Sequence, residues 1–175
     1  MKFNNKFSAL YIALALTFLG AQAQADIVVL SQHNFIQAFA HGRNLSDSSD
    51  SLASWKGSVT ALGSARASLW SNIAADSLSL SSSTYAQAGS YSYTFATATT
   101  RLLFTVSVTR TYELDGTLDN GAASIRLLRD GILVLSGPFS GAFLFEIGHK
   151  YEIDAHVWTV GSRPGYPSGC GFSMR

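Results

Sequence analysis

From residue 27 onward, apolar and polar side chains alternate with a period of two over most of the chain, the spacing of strands with one buried face. Ile27–Ala40 opens on a continuous apolar run and continues through Phe35, Ile36 and Phe39, as one long strand or two. His41–Ser54 contains the polar run RNLSDSSDS and reads as a loop. Trp55–Leu62, Arg66–Ile73 and Asp76–Ser82 alternate in part, separated by Gly63 and Ala74-Ala75. A helix over Ala61–Ala75 is the competing reading, because Ala, Leu and Arg are good helix formers. Ser83–Ser90 is a second serine-rich stretch. Tyr91–Thr99 places Tyr91, Tyr93 and Phe95 on one face, and Arg101–Thr109 gathers Leu102, Phe104, Val106 and Val108. Their Thr and Val content favours strand over helix.

Turn chemistry is strongest in the second half. Asn120-Gly121 lies between Tyr112–Leu118 and Ala122–Leu128, and Asp130-Gly131 lies between Ser124–Leu128 and Ile132–Leu135. Such dipeptides suit two-residue hairpins, whose central residues take positive φ. Gly137-Pro138 ends a run, Phe139–Ile147 alternates, and Gly148-His149 leads into Tyr151–Val160. GSRPGYPSG (161–169) reads as a loop before a short last strand, Gly171–Met174. The count is nine or ten short strands with turns every 8–12 residues, which predicts an all-β antiparallel sandwich or jelly roll.

The first 25 residues break the pattern. Lys2 and Lys6 precede an apolar run of 11 residues, Ala9–Leu19, and Ala21-Gln22-Ala23-Gln24-Ala25 offers small-x-small cleavage sites. This is the form of a secretory signal peptide, and the run is shorter than the roughly 20 residues of a membrane-spanning helix. The expectation is export to the periplasm or beyond, with residues 26–175 as a single domain. Formal charge is +1, and loss of the two leader lysines brings it near −1, which excludes a strongly basic nucleic-acid footprint. The lone Cys170 has no partner for a disulfide and reads as a small buried hydrophobe.

Candidate chemistry is sparse. Tyr151–Trp158 turns Tyr151, Ile153, Ala155 and Val157 one way and Glu152, Asp154 and His156 the other. Two carboxylates and an imidazole on one strand face are a candidate metal or acid–base set, against the simpler reading of a solvent face. Glu113 and Asp115 form a second same-face pair, and glycosidases work with two carboxyls across a cleft. The stripe Tyr91, Tyr93, Phe95 is either core, with Phe95 assigned inward, or a surface for stacking sugar rings. Trp158, Arg163 and Tyr166 around the Pro/Gly loop form a candidate binding edge. No nucleophile elbow, phosphate loop, dinucleotide fingerprint or H-E-x-x-H is present, and no cofactor is expected.

Three stretches carry a family resemblance: ADIVVLSQHNFIQAFA, TYELDGTLDNGAASIRLLRDGILVLSG and FEIGHKYEIDAHVWTVGS. They resemble small exported bacterial proteins of the PEP-CTERM-related, exopolysaccharide-associated type. The resemblance implies an extracellular β-sandwich and carries over no catalytic residues. The chain stops at Arg175 without that family's Pro-Glu-Pro signal, apolar anchor and basic tail, so release or periplasmic retention is expected over surface sorting. The leading expectation is a secreted non-enzymatic sandwich that binds a surface polysaccharide or takes part in matrix assembly. The alternatives are a small jelly-roll glycosidase or lyase, using Glu113 or Glu152 with His156, and a self-assembling structural subunit.

Overall fold

A computed structural model of the chain describes residues 26–88, 93–119, 122–161 and 166–175. The leader, Met1–Ala25, lies outside the described residues. Twelve strands follow in order: β1 Ile27–Ala40, β2 Arg43–Ser49, β3 Trp55–Ala61, β4 Ala65–Ile73, β5 Leu78–Ala86 and β6 Thr94–Val106. The second half holds β7 Arg110–Asp119, β8 Ala122–Arg129, β9 Ile132–Ser136, β10 Phe139–Phe145, β11 Tyr151–Val160 and β12 Tyr166–Met174. They form two antiparallel sheets, β2-β1-β6-β11-β8-β9 and β10-β7-β12-β5-β4-β3. The all-β sandwich expected from the alternation is the fold, with twelve strands where nine or ten were expected.

The order of the last eight strands is a jelly roll. Strands β5-β12-β7-β10 lie side by side in the second sheet and β6-β11-β8-β9 in the first, so the chain wraps back and forth between sheets. Strands β1–β4 widen this core: β1 and β2 add to the first sheet beside β6, and β3 and β4 to the second beside β5.

Several local expectations are corrected by this topology. RNLSDSS is strand β2, joined to β1 by His41-Gly42, both at positive φ. Its polar composition reflects an edge strand exposed along nearly its whole length. Ala61–Ala75 holds the strand β4 and no helix, because the inward residues Ala65, Ala67 and Leu69 follow a period of two. Asn120-Gly121 lies outside the described residues, but its flanking strands β7 and β8 belong to different sheets, so they form no hairpin. Asp130-Gly131 does turn the β8–β9 hairpin, with φ of 52° and 80°. The last strand begins at Tyr166 and absorbs half of the expected loop.

Two cores result. The larger lies inside the jelly roll, where Phe145 meets Tyr151, Phe143 and Tyr112 at ring-centroid distances of 4.6, 4.8 and 5.6 Å. The smaller lies between β1, β3, β4 and the start of β6, and is built of Ile36, Leu69 and seven alanines. Along β1, β4 and β6, buried polar residues separate the two. Gln32 Nε2 donates to Ser71 Oγ across the sheets at 2.9 Å, and Thr100 Oγ1 donates to Asn34 Oδ1 at 3.0 Å. Cys170 is free and buried as expected, beside Ser82, and burial pushes its thiol pKa up.

Candidate functional site

The smaller core determines what its outer face looks like. Along β1, Ile36, Ala38 and Ala40 point inward while Phe35, Gln37 and Phe39 point outward. Along β6, Ala96 and Ala98 point inward while Phe95, Thr97 and Thr99 point outward. The large side chains therefore stand on the surface and the small ones inside. Phe95 is not a core residue: Ala96 and Ala98 take the inward positions of β6 at this end, facing a core that also holds Ile36 and Leu69.

Register brings these outward residues together. Phe39 pairs with Phe95, and Phe95 with Val160. Gln37 pairs with Thr97, and Thr97 with Trp158. Phe35 pairs with Thr99, and Thr99 with His156. The Phe39 and Phe95 rings stack at 5.6 Å, and Tyr93 leans on both at 6.2 and 5.8 Å. Tyr93 is 62% exposed and Trp158 38%, so ring faces reach solvent. Polar groups are interleaved: Gln37 Nε2 donates to Asn44 Oδ1 at 2.9 Å, and Thr97 Oγ1 lies 3.0 Å from His156 Nε2. Burial lowers the His156 pKa below the ordinary imidazole value, against a smaller upward pull from Asp154.

A charged belt bounds this aromatic face. Arg101 holds Glu152 through two hydrogen bonds, Nε to Oε1 at 2.6 Å and Nη2 to Oε2 at 3.1 Å. Arg126 Nη2 pairs with Asp154 Oδ2. Both carboxylates of the expected metal trio are thus engaged by guanidinium groups. Among the described residues no group of three His, Cys, Asp or Glu side chains is placed to hold a metal ion.

The remaining candidates fall elsewhere. Glu113 and Asp115 alternate outward on β7, on the outer face of the second sheet, and so share no cleft with Glu152 or His156. Tyr91 and Arg163 lie outside the described residues. Tyr166 opens β12 opposite Ala86 in the second sheet. The described residues beside these segments lie at the aromatic end: Gly161 N donates to Thr94 O at 2.7 Å, next to Tyr93 and Val160.

Two His–Asp pairs deserve separation from this face. His33 Nδ1 lies 2.6 Å from Asp50 Oδ1 beside a groove of about 400 Å³ at the β-bulge of β1, also lined by Leu30, Gln32 and Arg101. His149 Nδ1 lies 2.5 Å from Asp130 Oδ2. Asp130 also accepts from Lys150 N at 2.9 Å, and this backbone bond, followed by His149, lowers its pKa. That second pair ties the β8–β9 turn to the start of β11.

Tyr93 and Trp158, both candidates from the sequence, share this face with Phe95, which the sequence assigns inward, and with Phe35, Phe39, Gln37 and Thr97, which it does not single out. The available signal was the inversion in FIQAFA and TFATA, where alanine alternates with larger residues. No protein-family model matches the chain, and no curated protein or solved structure is significantly similar to it.

Proposed function

We propose that the chain is an exported, non-enzymatic β-sandwich that binds an uncharged stretch of polysaccharide on the outer face of its first sheet. The observation that carries this reading is the outward-facing cluster of exposed Tyr93 and Trp158 with half-buried Phe39 and Phe95 on one sheet face. A contiguous apolar patch on a soluble surface costs solvation and marks a contact site. Flat rings spaced by Gln37, Thr97 and His156 suit pyranose rings, which offer an apolar C–H face and a rim of hydroxyls. The bordering arginines are matched by Glu152 and Asp154, so the face offers little net charge to an ionic ligand. The leader supports export, and the resemblance to exopolysaccharide-associated proteins agrees with the ligand class.

The test is the melting temperature of residues 26–175 against a panel of neutral polysaccharides. A specific ligand at about 100 times its Kd adds about 2.7 kcal/mol, a shift of several degrees. Trp158→Ala and Tyr93→Ala should remove that shift while leaving the unliganded melt nearly unchanged. No shift with any neutral glycan overturns the reading.

A second reading, a self-assembling subunit, is favoured by β9. This short edge strand exposes Ile132, Leu133 and Val134, and among the described residues its far edge has no partner in the sheet. Sedimentation of wild type against Leu133→Lys decides it: a concentration-dependent dimer lost in the variant supports assembly, and a wild-type monomer at all concentrations excludes it.

A further inference from the structure

The outer face of the second sheet carries a different arrangement. On β4, Arg66, Ser68 and Trp70 point outward in succession. Cross-strand register sets Lys56 of β3 beside Trp70, and Ser58 beside Ser68. On the other side, β5 sets Ser81 beside Trp70 and Ser83 beside Ser68. The result is a shallow groove of about 400 Å³ whose lining includes Lys56, Arg66, Trp70 and the four serines. Ser68 Oγ and Ser83 Oγ are 2.8 Å apart and form its floor.

Charge distinguishes this groove from the aromatic face. Lys56 and Arg66 are both exposed, and among the described residues neither has an ion-pair partner. The acids on this sheet face, Glu113, Asp115 and Asp119, stand on β7, three strands from β4 and so about 14 Å away. Asp76 is in the β4–β5 turn, past Asn72 and Ser79 at the end of the ladder. Two unneutralised cations therefore stand at the two ends of a bed of hydroxyls, Lys56 beside an indole that is 41% exposed and Arg66 beyond Ser68.

We propose that this groove is a second binding site, specific for a uronic-acid polysaccharide. Trp70 supplies the stacking face for a pyranose ring. Lys56 and Arg66, on opposite sides of Ser58 and Ser68 along the strands, pair with carboxylates of the sugar chain through charge-assisted hydrogen bonds. The serines meet ring hydroxyls as donors and acceptors. Two cations are too few for the footprint of a nucleic-acid site, whereas a polyuronate presents sparse carboxylates among many hydroxyls. Because the two sites lie on opposite outer faces of the sandwich, one molecule bridges a neutral polymer and an acidic one.

The experiment is tryptophan-fluorescence titration of residues 26–175 with polygalacturonate, its fully methyl-esterified form and inorganic polyphosphate. Binding is expected for polygalacturonate only. It should weaken at least about tenfold in Lys56→Gln/Arg66→Gln and in Trp70→Ala, since a lost charge-assisted contact is worth about that factor. It should also weaken as salt rises from about 0.05 to about 0.5 M, which shortens the screening length. Trp158→Ala should leave it unchanged, so failure of the neutral-glycan site and failure of this one are separately visible. The proposal is overturned by no binding of polygalacturonate, by equal binding of the methyl ester or of polyphosphate, or by full affinity in the Lys56/Arg66 double variant. Circular dichroism of each variant confirms the fold, and since all three side chains are exposed, none is expected to change it.

Discussion

The imidazole of His156 lies over the indole of Trp158, two residues further along β11, with ring centroids 4.8 Å apart and planes inclined by 29°. Thr97 fixes the imidazole from the neighbouring strand. Its hydroxyl lies 3.0 Å from His156 Nε2 and 3.2 Å from Val157 O, so it sits between the ring and the backbone of β11.

This arrangement sets a pH dependence. Burial holds the folded imidazole pKa below the ordinary value of 6.5. Above that value both folded and unfolded chains carry neutral His156 and its contribution is complete. As pH falls through 6.5 towards the lower folded value, the unfolded chain takes up the proton first, and stability declines. Urea melts of wild type and His156→Gln at about pH 8 and about pH 5 should differ in slope, with the steeper acid loss in wild type. Parallel slopes would show that the ring is not held neutral.

Gly161 is required by Thr94. A Cβ at position 161 would stand 1.9 Å from Thr94 Oγ1 and 2.9 Å from Ala88 N. Gly161→Ala is expected to cost about 1–3 kcal/mol through forced displacement in a packed site. Thr94 Oγ1 is buried with no hydrogen-bond partner among the described residues, so Thr94→Ala removes the obstacle without stranding a partner. The double variant should recover part of the loss in denaturant melts, the part due to Thr94, because the contact with Ala88 N remains; fully additive losses would disprove the clash with Thr94.

The two cores should answer opposite changes. Phe145→Ala opens a cavity among Phe143, Tyr112, Tyr151 and Phe104, and the expected loss is about 3–5 kcal/mol. Ala98→Leu inserts bulk between sheets spaced by alanine and should cost about 1–3 kcal/mol. A stable Ala98→Leu variant with unchanged binding on the outer aromatic face would mean that the alanines do not set the sheet spacing.

The ion pairs of the first sheet should matter little to stability. Arg101 is largely exposed, and although hydrogen bonding to Glu152 raises its pKa, solvent screens the pair. Glu152→Gln is expected to cost about 0.2–1 kcal/mol, and less at high salt. Its measurable consequence is charge: freeing Arg101 should give the face affinity for anionic glycans that wild type lacks there, read by titration in the Lys56→Gln/Arg66→Gln background.

Much of the architecture follows from the chain itself. Alternation in β6, β7 and β11 identifies strands and assigns the faces of Tyr151, Ile153, Ala155 and Val157 against Glu152, Asp154 and His156, because a strand with one wet face must repeat every two residues. Asp130-Gly131 marks a hairpin because both residues must take positive φ. Local pattern does not say which sheet a strand joins. The runs around Asn120-Gly121 look like a hairpin but lie in opposite sheets, and RNLSDSS looks like a loop but pairs with β1. Nor does pattern assign a face when alanine alternates with phenylalanine, since hydrophobicity points the ring inward while the space left at those positions beside Ile36 and Leu69 is filled by alanine. That spacing is a property of the assembled sandwich. It turned Phe39 and Phe95 outward on the face that carries Trp158, and the β3–β4 register placed Lys56 next to Trp70.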